Sequence, residues 1–138
     1  MTKQNASSRN KGQEIEALVE QHLRNQGLKF VARNFNCKLG EIDLIFTHEN
    51  ILIFTEVKYR KKPDFGSSIE TVTPTKQKKI IKTAQLYLQK NKWARHYNCR
   101  FDVVGVNPVK SEQQTSKSNT PDRGTLNINW IKDAFWAS

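Results

Sequence analysis

The stretch GEIDLIFTHENILIFTEVKYR, from Gly40 to Arg60, decides the fold because two apolar runs flank a short polar break. The runs EIDLIF and ILIFTEV are typical of β-strands, and HEN between them predicts a tight turn. Strands joined by so short a turn pair antiparallel. The unbroken apolar character of ILIFTEV also predicts a central strand that is covered on both faces of the sheet.

Acidic residues interrupt both runs. Asp43 lies inside the first, and Glu56 lies near the end of the second, with Lys58 two residues later on the same face of the strand. A carboxylate in apolar surroundings costs several kcal/mol unless it is paired or bound to a metal. A Glu-X-Lys is by itself more often a solvated face than a site, and Asp43 could pair with a basic residue. The combination of all three residues favours a functional site.

A turn centred on Glu49-Asn50 would fix which residues oppose each other. This register places Asp43 opposite Glu56 and Glu41 opposite Lys58, with Cβ atoms about 5 Å apart. Two carboxylates so close repel each other and raise one pKa unless a cation lies between them. A hard divalent cation such as Mg²⁺, held by oxygen ligands and waters, fits this position. A different turn length or a bulge would change the pairing.

The composition indicates one soluble domain with an affinity for polyanions. The chain has 138 residues, of which 36% are hydrophobic, and 23 Lys and Arg against 13 Asp and Glu give a net charge of +10. Such a charge favours nucleic acid first and an anionic membrane surface second, although an unspecialised basic protein has the same composition.

The same sequence leads us to expect a cytoplasmic protein. No apolar run approaches the ~20 residues that span a bilayer, and the polar, basic start of the chain is unlike a secretory signal. Cys37 and Cys99 fit no metal-ligand spacing. We expect both to be reduced thiols, with a disulfide as the less favoured alternative.

The patterns predict an α/β or α+β domain with the order αβββαβ and a short C-terminal addition. Apolar spacing predicts a first helix from Gly12 to Gln26, and KFVARNFN alternates as a strand. A second helix begins near Thr73-Pro74, since threonine caps helices and proline suits the first turn. RFDVVGV returns through a crossover, and LNINWIKDAFW closes the chain as a short strand and a helical turn. We expect a disordered basic tail at residues 1–10 and a single domain at 11–138, with a mobile loop at about 108–124.

Asp43 followed by Glu56-Val57-Lys58 resembles the core motif of the PD-(D/E)XK nuclease superfamily, with Ile42 in place of the first-motif proline. Most of the chain is similar to the YraN-like family of small bacterial proteins. The segments that carry this similarity are GEIDLI, EVKYR, Phe65-Gly66, Lys76, AQLYL, RFDVV and WIKDAF. The resemblance implies a restriction-endonuclease-like core, in which helices flank a mixed sheet.

The resemblance also implies metal-dependent hydrolysis of a phosphodiester. The implied setting is DNA repair or recombination. Asp43, Glu56 and the main-chain carbonyl of Val57 would hold Mg²⁺ or Mn²⁺, and Lys58 would position the attacking water. Archaeal Holliday-junction resolvases share the fold and carry a glutamate on the first helix. Glu16 stands at the matching position, although a helical glutamate is usually an exposed surface residue.

Basic residues near these acids are candidates for phosphate contacts, which give affinity without sequence information. Lys76 is the strongest candidate because the family pattern also has a lysine there. The candidates are Arg60, Lys61, Lys62, Lys76, Lys78 and Lys79, with Lys82 one turn further along the helix.

Two other functional classes remain open. The chain could be a nucleic-acid-binding module with weak or absent cleavage, or an adaptor that docks on a helicase or repair partner through the tail WIKDAFW. Trp130, Ile131 and Phe135 of that tail can equally pack on the sheet. Cleavage of a junction by symmetric nicks would call for a homodimer.

Overall fold

A five-stranded mixed sheet carries two helices in the computed structural model, which describes residues 2–60, 72–108 and 126–136. The elements are α1 (Thr2–Asn25), β1 (Lys29–Cys37), β2 (Gly40–His48), β3 (Ile51–Tyr59), α2 (Pro74–Lys90), β4 (Asn98–Pro108) and β5 (Leu126–Phe135), with a short 3₁₀ helix at Lys92–His96. The strands lie in the order β1-β2-β3-β4-β5, and only β3 and β4 are parallel. This arrangement confirms the predicted fold class and is consistent with a restriction-endonuclease-like core.

Strand β3 lies at the centre of the sheet and is buried on both faces, as its continuous apolar sequence predicts. On one face, Phe54 packs in a cluster with Ile80 and Tyr87 of α2. On the other, Ile53 packs in a second cluster with Val19 and Leu23 of α1. The two clusters fix both helices relative to the acid-bearing end of β3.

Helix α1 corrects two expectations. It begins at Thr2 and not near Gly12, so the backbone of residues 2–10 is helical where we predicted a disordered tail. The reason is that the apolar stripe after Gly12 holds a helix in place, and this helix can continue toward the N-terminus because no proline breaks the polar segment before Gly12. The apolar spacing that predicts this helix includes Leu18, but Leu18 is 45% exposed and does not join the buried side. The end of the helix agrees with the prediction, because Gly27 follows it with a φ of +102°.

Helix α2 begins where its sequence predicts. The Thr73 hydroxyl accepts a hydrogen bond from the main-chain N–H of Lys76 at 3.2 Å, and Pro74 is the first helical residue. The predicted start at Thr73-Pro74 is therefore confirmed. Gly40 lies against this helix, and a Cβ there would come within 3.3 Å of Thr83 Oγ1. The start of β2 and the first half of α2 are thus in close contact.

Strand β5 corrects the prediction for the end of the chain. It runs without a helical turn to Phe135, whose ring stacks on Phe101 with centroids 5.1 Å apart. Asp102 of β4 is fully buried and receives hydrogen bonds from β5, through Trp130 Nε1 and the Asp133 N–H, each at 2.9 Å. The predicted loop at about 108–124 lies almost wholly outside the described residues. No helix in the described part of the chain is long and apolar enough to cross a membrane.

The β2–β3 hairpin has the predicted register near its turn. The pairs run from His48–Ile51 to Leu44–Thr55. The ladder then ends, so the predicted pairs of Asp43 with Glu56 and of Glu41 with Lys58 are not formed.

Candidate active site

The two strands of the hairpin separate at Asp43. The reason is that the Asp43 side chain accepts a hydrogen bond where a main-chain pair of the ladder would otherwise form. The predicted register would continue with Ile42 opposite Val57. Instead, the Val57 N–H donates to Asp43 Oδ2 at 2.8 Å. The carboxyl group therefore lies in the fork between β2 and β3, next to Glu56.

Asp43 is a poorly stabilised carboxylate. Burial raises its pKa, the neighbouring Glu56 raises it further, and the hydrogen bond from Val57 only partly offsets these effects. Glu16 and Glu41 add to the increase, and the resulting pKa is about 8. The group therefore holds a proton at pH 7 in the absence of a nearby cation, and a bound divalent cation would release that proton.

Glu56 is buried and faces two lysines. Lys76 Nζ lies 2.9 Å from Glu56 Oε2, and Lys58 Nζ lies 3.9 Å from the same oxygen. Glu56 and Lys58 project from one face of β3, as strand alternation predicts. Lys76 reaches them from the first turn of α2, where the Thr73 cap fixes the start of the helix. The lysine that we selected as a phosphate contact is thus an ion-pair partner of the acidic site.

Lys58 has an altered proton affinity. Burial lowers its pKa below the ordinary value for lysine, and the positive charge of Lys76 lowers it further. Glu56 and Asp43 act in the opposite direction but do not cancel these effects. A lysine in this state can give up its proton more readily than one on the surface.

Glu16 of α1 approaches the fork from the opposite face of the sheet. Burial raises its pKa, and Glu41 raises it further. In the amide orientation that satisfies both neighbours, the Asn34 nitrogen donates to Glu41 Oε2 at 2.9 Å and to Glu16 Oε1 at 3.2 Å. A cavity of about 260 Å³ adjoins this group, lined in part by Gln13 and Leu44.

Sequence reasoning missed Asn34. Its φ of +54° is left-handed, a conformation that asparagine adopts more readily than most residues. The available signal was an asparagine inside the predicted strand KFVARNFN, since asparagine is depleted in strands. Its side chain links two carboxylates that come from different elements.

The donor set suits a hard divalent cation that keeps several waters. Within 2–60, 72–108 and 126–136, no three His, Cys, Asp or Glu side chains form a metal-binding group by themselves. Mg²⁺ commonly uses only one or two carboxylates and completes its coordination with water. Asp43 and Glu56 can supply the two carboxylates, and the Val57 carbonyl is a possible third ligand. The raised pKa of Asp43 fits this assignment, because a bound cation would stabilise the ionised form that burial and the charge of Glu56 disfavour.

The remaining candidate residues lie around the acidic site or beyond the described part of the chain. Arg60 follows β3, and its N–H donates to the carbonyl of Val106 at 2.9 Å. Lys78, Lys79 and Lys82 are exposed on α2. Lys61 and Lys62, together with Phe65-Gly66, lie outside the described residues.

Comparison with known proteins identifies the family of this chain. Residues 15–106 match the model of the uncharacterised protein family UPF0102. The chain belongs to the UPF0102 family. This is the YraN-like family that the sequence resembles.

UPF0102 proteins from several bacteria match nearly the whole chain. A UPF0102 protein of Nitrosococcus oceani is 42% identical over 130 residues, which cover 94% of each chain. One from Saccharophagus degradans is 46% identical over 124 residues, covering 90% of this chain and 91% of the relative. One from Coxiella burnetii strain RSA 493 is 44% identical over 114 residues, covering 83% and 82%. These names state family membership and no activity.

Proposed function

We propose that this UPF0102 protein is a metal-dependent nuclease that hydrolyses phosphodiester bonds, with DNA as its substrate in repair or recombination. One observation carries the proposal. Asp43 and Glu56 bring two negative charges together in the fork between two strands. Lys58 and Lys76 face Glu56, whereas the donor to Asp43 among the described residues is the Val57 N–H. A divalent cation would balance these charges, and the resemblance to PD-(D/E)XK nucleases supports the same chemistry.

The residues of the site have distinct parts in the proposed reaction. When bound, Mg²⁺ or Mn²⁺ would supply an activated water and stabilise negative charge on the phosphate. Asp43 and Glu56 hold the metal, with the Val57 carbonyl as a further ligand. Lys58 orients the attacking water and stabilises the charge that develops on the phosphoryl oxygens. Glu16, on the far side of the fork, assists in positioning water.

The surface around the site supports binding to a polyanion. Lys78, Lys79 and Lys82 are exposed on the helix that supplies Lys76, and Arg60 lies at the end of the strand that carries Glu56. Contacts of this kind involve the phosphate backbone, so affinity should fall steeply with salt. The surface favours binding without a strong preference for sequence.

The test is cleavage of a labelled panel that contains a single strand, a duplex, a flap and a four-way junction. Wild type would be compared with Asp43→Asn and Lys58→Ala in Mg²⁺, Mn²⁺ and EDTA. Glu14→Gln is the matched control, because it removes one negative charge at an exposed position of α1 near Glu16. We expect metal-dependent cleavage by wild type and by the control, and none by the two site variants. Cleavage that persists in both site variants would refute the proposal.

A nucleic-acid-binding module without cleavage is the second candidate. The observation that favours it is the ion pair between Lys76 and Glu56, which neutralises a carboxylate that the metal would need. This candidate predicts that wild type binds the panel but cuts no substrate at any metal concentration.

An adaptor that docks through its C-terminal tail has less support. Trp130 donates to Asp102, and Phe135 stacks on Phe101, so these tail side chains are engaged within the sheet. Trp136 is 70% exposed, so an adaptor could use its ring to contact a helicase or repair partner.

A further inference from the structure

The closest cation to Glu56 comes from a different element of the fold. Lys76 Nζ lies 2.9 Å from Glu56 Oε2, a hydrogen-bonding distance, whereas Lys58 Nζ lies 3.9 Å away. The Glu56 side chain is only 7% exposed, but the Lys76 side chain is 41% exposed. One end of the ion pair is therefore fixed in the core, while the other can move into solvent.

We propose that Lys76 competes with the metal for Glu56, so that a divalent cation binds only when the lysine releases the carboxylate. This inference rests on the proposed function, since the cation is that of the nuclease site. An ammonium group at 2.9 Å occupies Oε2, one of the two Glu56 oxygens through which the carboxylate could coordinate a metal. It also repels any second cation placed at the same oxygen.

Lys76 is better suited to this exchange than Lys58. Lys58 shares a strand with Glu56, and its side chain is 23% exposed, so its position is set largely by β3. Lys76 has a long, unbranched side chain that starts from a capped helix end, and lysine can change rotamer without moving the backbone. The exchange therefore needs no rearrangement of the fold.

The other carboxylates of the site are also held by groups of the protein. Asp43 accepts from the Val57 N–H, while Glu16 and Glu41 share the Asn34 amide. These donors are neutral, whereas Lys76 carries a full charge. Lys76 is thus the group whose release most changes the electrostatic potential at the metal position.

Release of Lys76 would also link metal binding to substrate binding. The freed ammonium group lies on the same helix as exposed Lys78 and Lys79, where it can contact a phosphate of the substrate. Metal would then strengthen nucleic-acid binding beyond the effect of its own charge. Linkage requires the reverse as well, so nucleic acid that engages Lys76 would tighten metal binding.

The test measures Mg²⁺ and Mn²⁺ affinity by calorimetry without nucleic acid, using wild type, Lys76→Gln, Lys76→Arg and Lys78→Gln. Lys78→Gln is the matched control, because it removes the same charge from an exposed position two residues away. We expect Lys76→Gln to bind metal about tenfold more tightly than wild type, the size of effect that loss of a partly buried competing ion pair produces. Lys76→Arg and Lys78→Gln should stay within about twofold of wild type.

A second measurement tests how strongly Lys76 stabilises the folded protein when no metal is bound. In EDTA, Lys76→Gln should melt at a lower temperature than Lys78→Gln, because it leaves Glu56 buried without its nearest partner. Saturating Mg²⁺ should remove this difference, because the metal replaces Lys76 in both the variant and the control.

The outcomes separate this inference from the nuclease proposal. If wild type binds metal through Asp43 but Lys76→Gln binds no more tightly, competition by Lys76 is refuted and the nuclease site stands. An equal gain in Lys78→Gln would also refute it, since general charge would then explain the effect. If no variant binds either metal, both proposals fail.

Discussion

Asp102, which is buried, and Asp43, which is half-buried, have opposite surroundings in neighbouring parts of the sheet. Asp102 accepts four hydrogen bonds, from Arg100 Nε at 2.9 Å and Nη2 at 3.0 Å, and from Trp130 Nε1 and the Asp133 N–H, both at 2.9 Å. Among the described residues, Asp43 accepts one hydrogen bond, from the Val57 main chain, and it faces the negative charge of Glu56.

The comparison distinguishes a structural carboxylate, Asp102, from Asp43, the carboxylate that we propose to be functional. Both oxygens of Asp102 are fully used by donors of the protein, so the group stabilises the contact between β4 and β5. Burial and the negative charge of Glu56 raise the pKa of Asp43 to about 8, and the described residues leave Asp43 with a deficit of donors. A deficit of this kind is characteristic of a site that receives a ligand.

The largest expected effect is the difference in cleavage activity between a variant of Asp43 and a variant of Asp102. Asp43→Asn should lower cleavage by about 10³-fold or more, because it removes a metal ligand. Asp102→Asn should leave the activity of the folded fraction within about tenfold of wild type, since the group contacts neither Glu56 nor Lys58. Single-turnover cleavage, corrected for the folded fraction by circular dichroism, measures both effects. Equal losses in the two variants would remove the distinction.

Substitution of Asp102 should lower the stability of the protein more than substitution of Asp43, which is the opposite of the order expected for activity. Asp102→Ala should lower the free energy of unfolding by about 3–5 kcal/mol, because it leaves the Arg100 guanidinium without its buried partner. Urea denaturation at pH 7 measures the change, with Glu14→Ala as an exposed control. A loss below about 1 kcal/mol would show that Asp102 does not stabilise the sheet.

The pH dependence sharpens the contrast. The pKa of Asp43 is about 8 in the folded protein against an ordinary value of 3.8, so the folded state binds more protons than the unfolded state between these values. The free energy of unfolding of the wild type therefore falls as pH rises from about 4 to 8. Asp43→Asn lacks this loss and keeps an acceptor for the Val57 N–H.

In EDTA, Asp43→Asn should consequently be more stable than wild type by about 2 kcal/mol at pH 8.5, with little difference at pH 4. The value is below the full linkage energy because water reaches the fork. Urea denaturation across this pH range measures it. A difference that does not vary with pH would contradict the raised pKa.

The smallest effect tests one donor of the structural acid. Trp130→Phe keeps the ring but removes the N–H that donates to Asp102. We expect a loss of about 1 kcal/mol, because three donors remain. Thermal unfolding beside Trp136→Phe, a change at an exposed position, measures it, and equal melting temperatures would show that this hydrogen bond adds nothing.

The sequence predicted local features well. The Thr73 cap, the central position of β3 and the register next to the turn all depend on neighbouring residues or on alternation. The pattern also predicted that Asp43, Glu56 and Lys58 lie near one another, as they do.

Features that depend on tertiary contacts were not predictable in the same way. The hairpin ladder ends where the Asp43 side chain takes the Val57 N–H, and no periodicity encodes that substitution. The partnership of Lys76 with Glu56 depends on how α2 packs on the sheet. The donors around Asp102 depend on the register of β5, which follows a segment without strong local patterns.

The central claim is that Asp43 and Glu56 form a metal centre, because Asp43 has one donor among the described residues and faces the negative charge of Glu56. Thermal unfolding of wild type and Asp43→Asn at pH 7.5, with EDTA or with saturating Mg²⁺, tests it most directly. Since a ligand that binds only the folded state stabilises it, Mg²⁺ at about 100 times its Kd should add about 2.7 kcal/mol to the wild type. The account predicts a higher melting temperature for wild type in Mg²⁺ and no change for Asp43→Asn. Equal shifts in both proteins, or none in either, would contradict it.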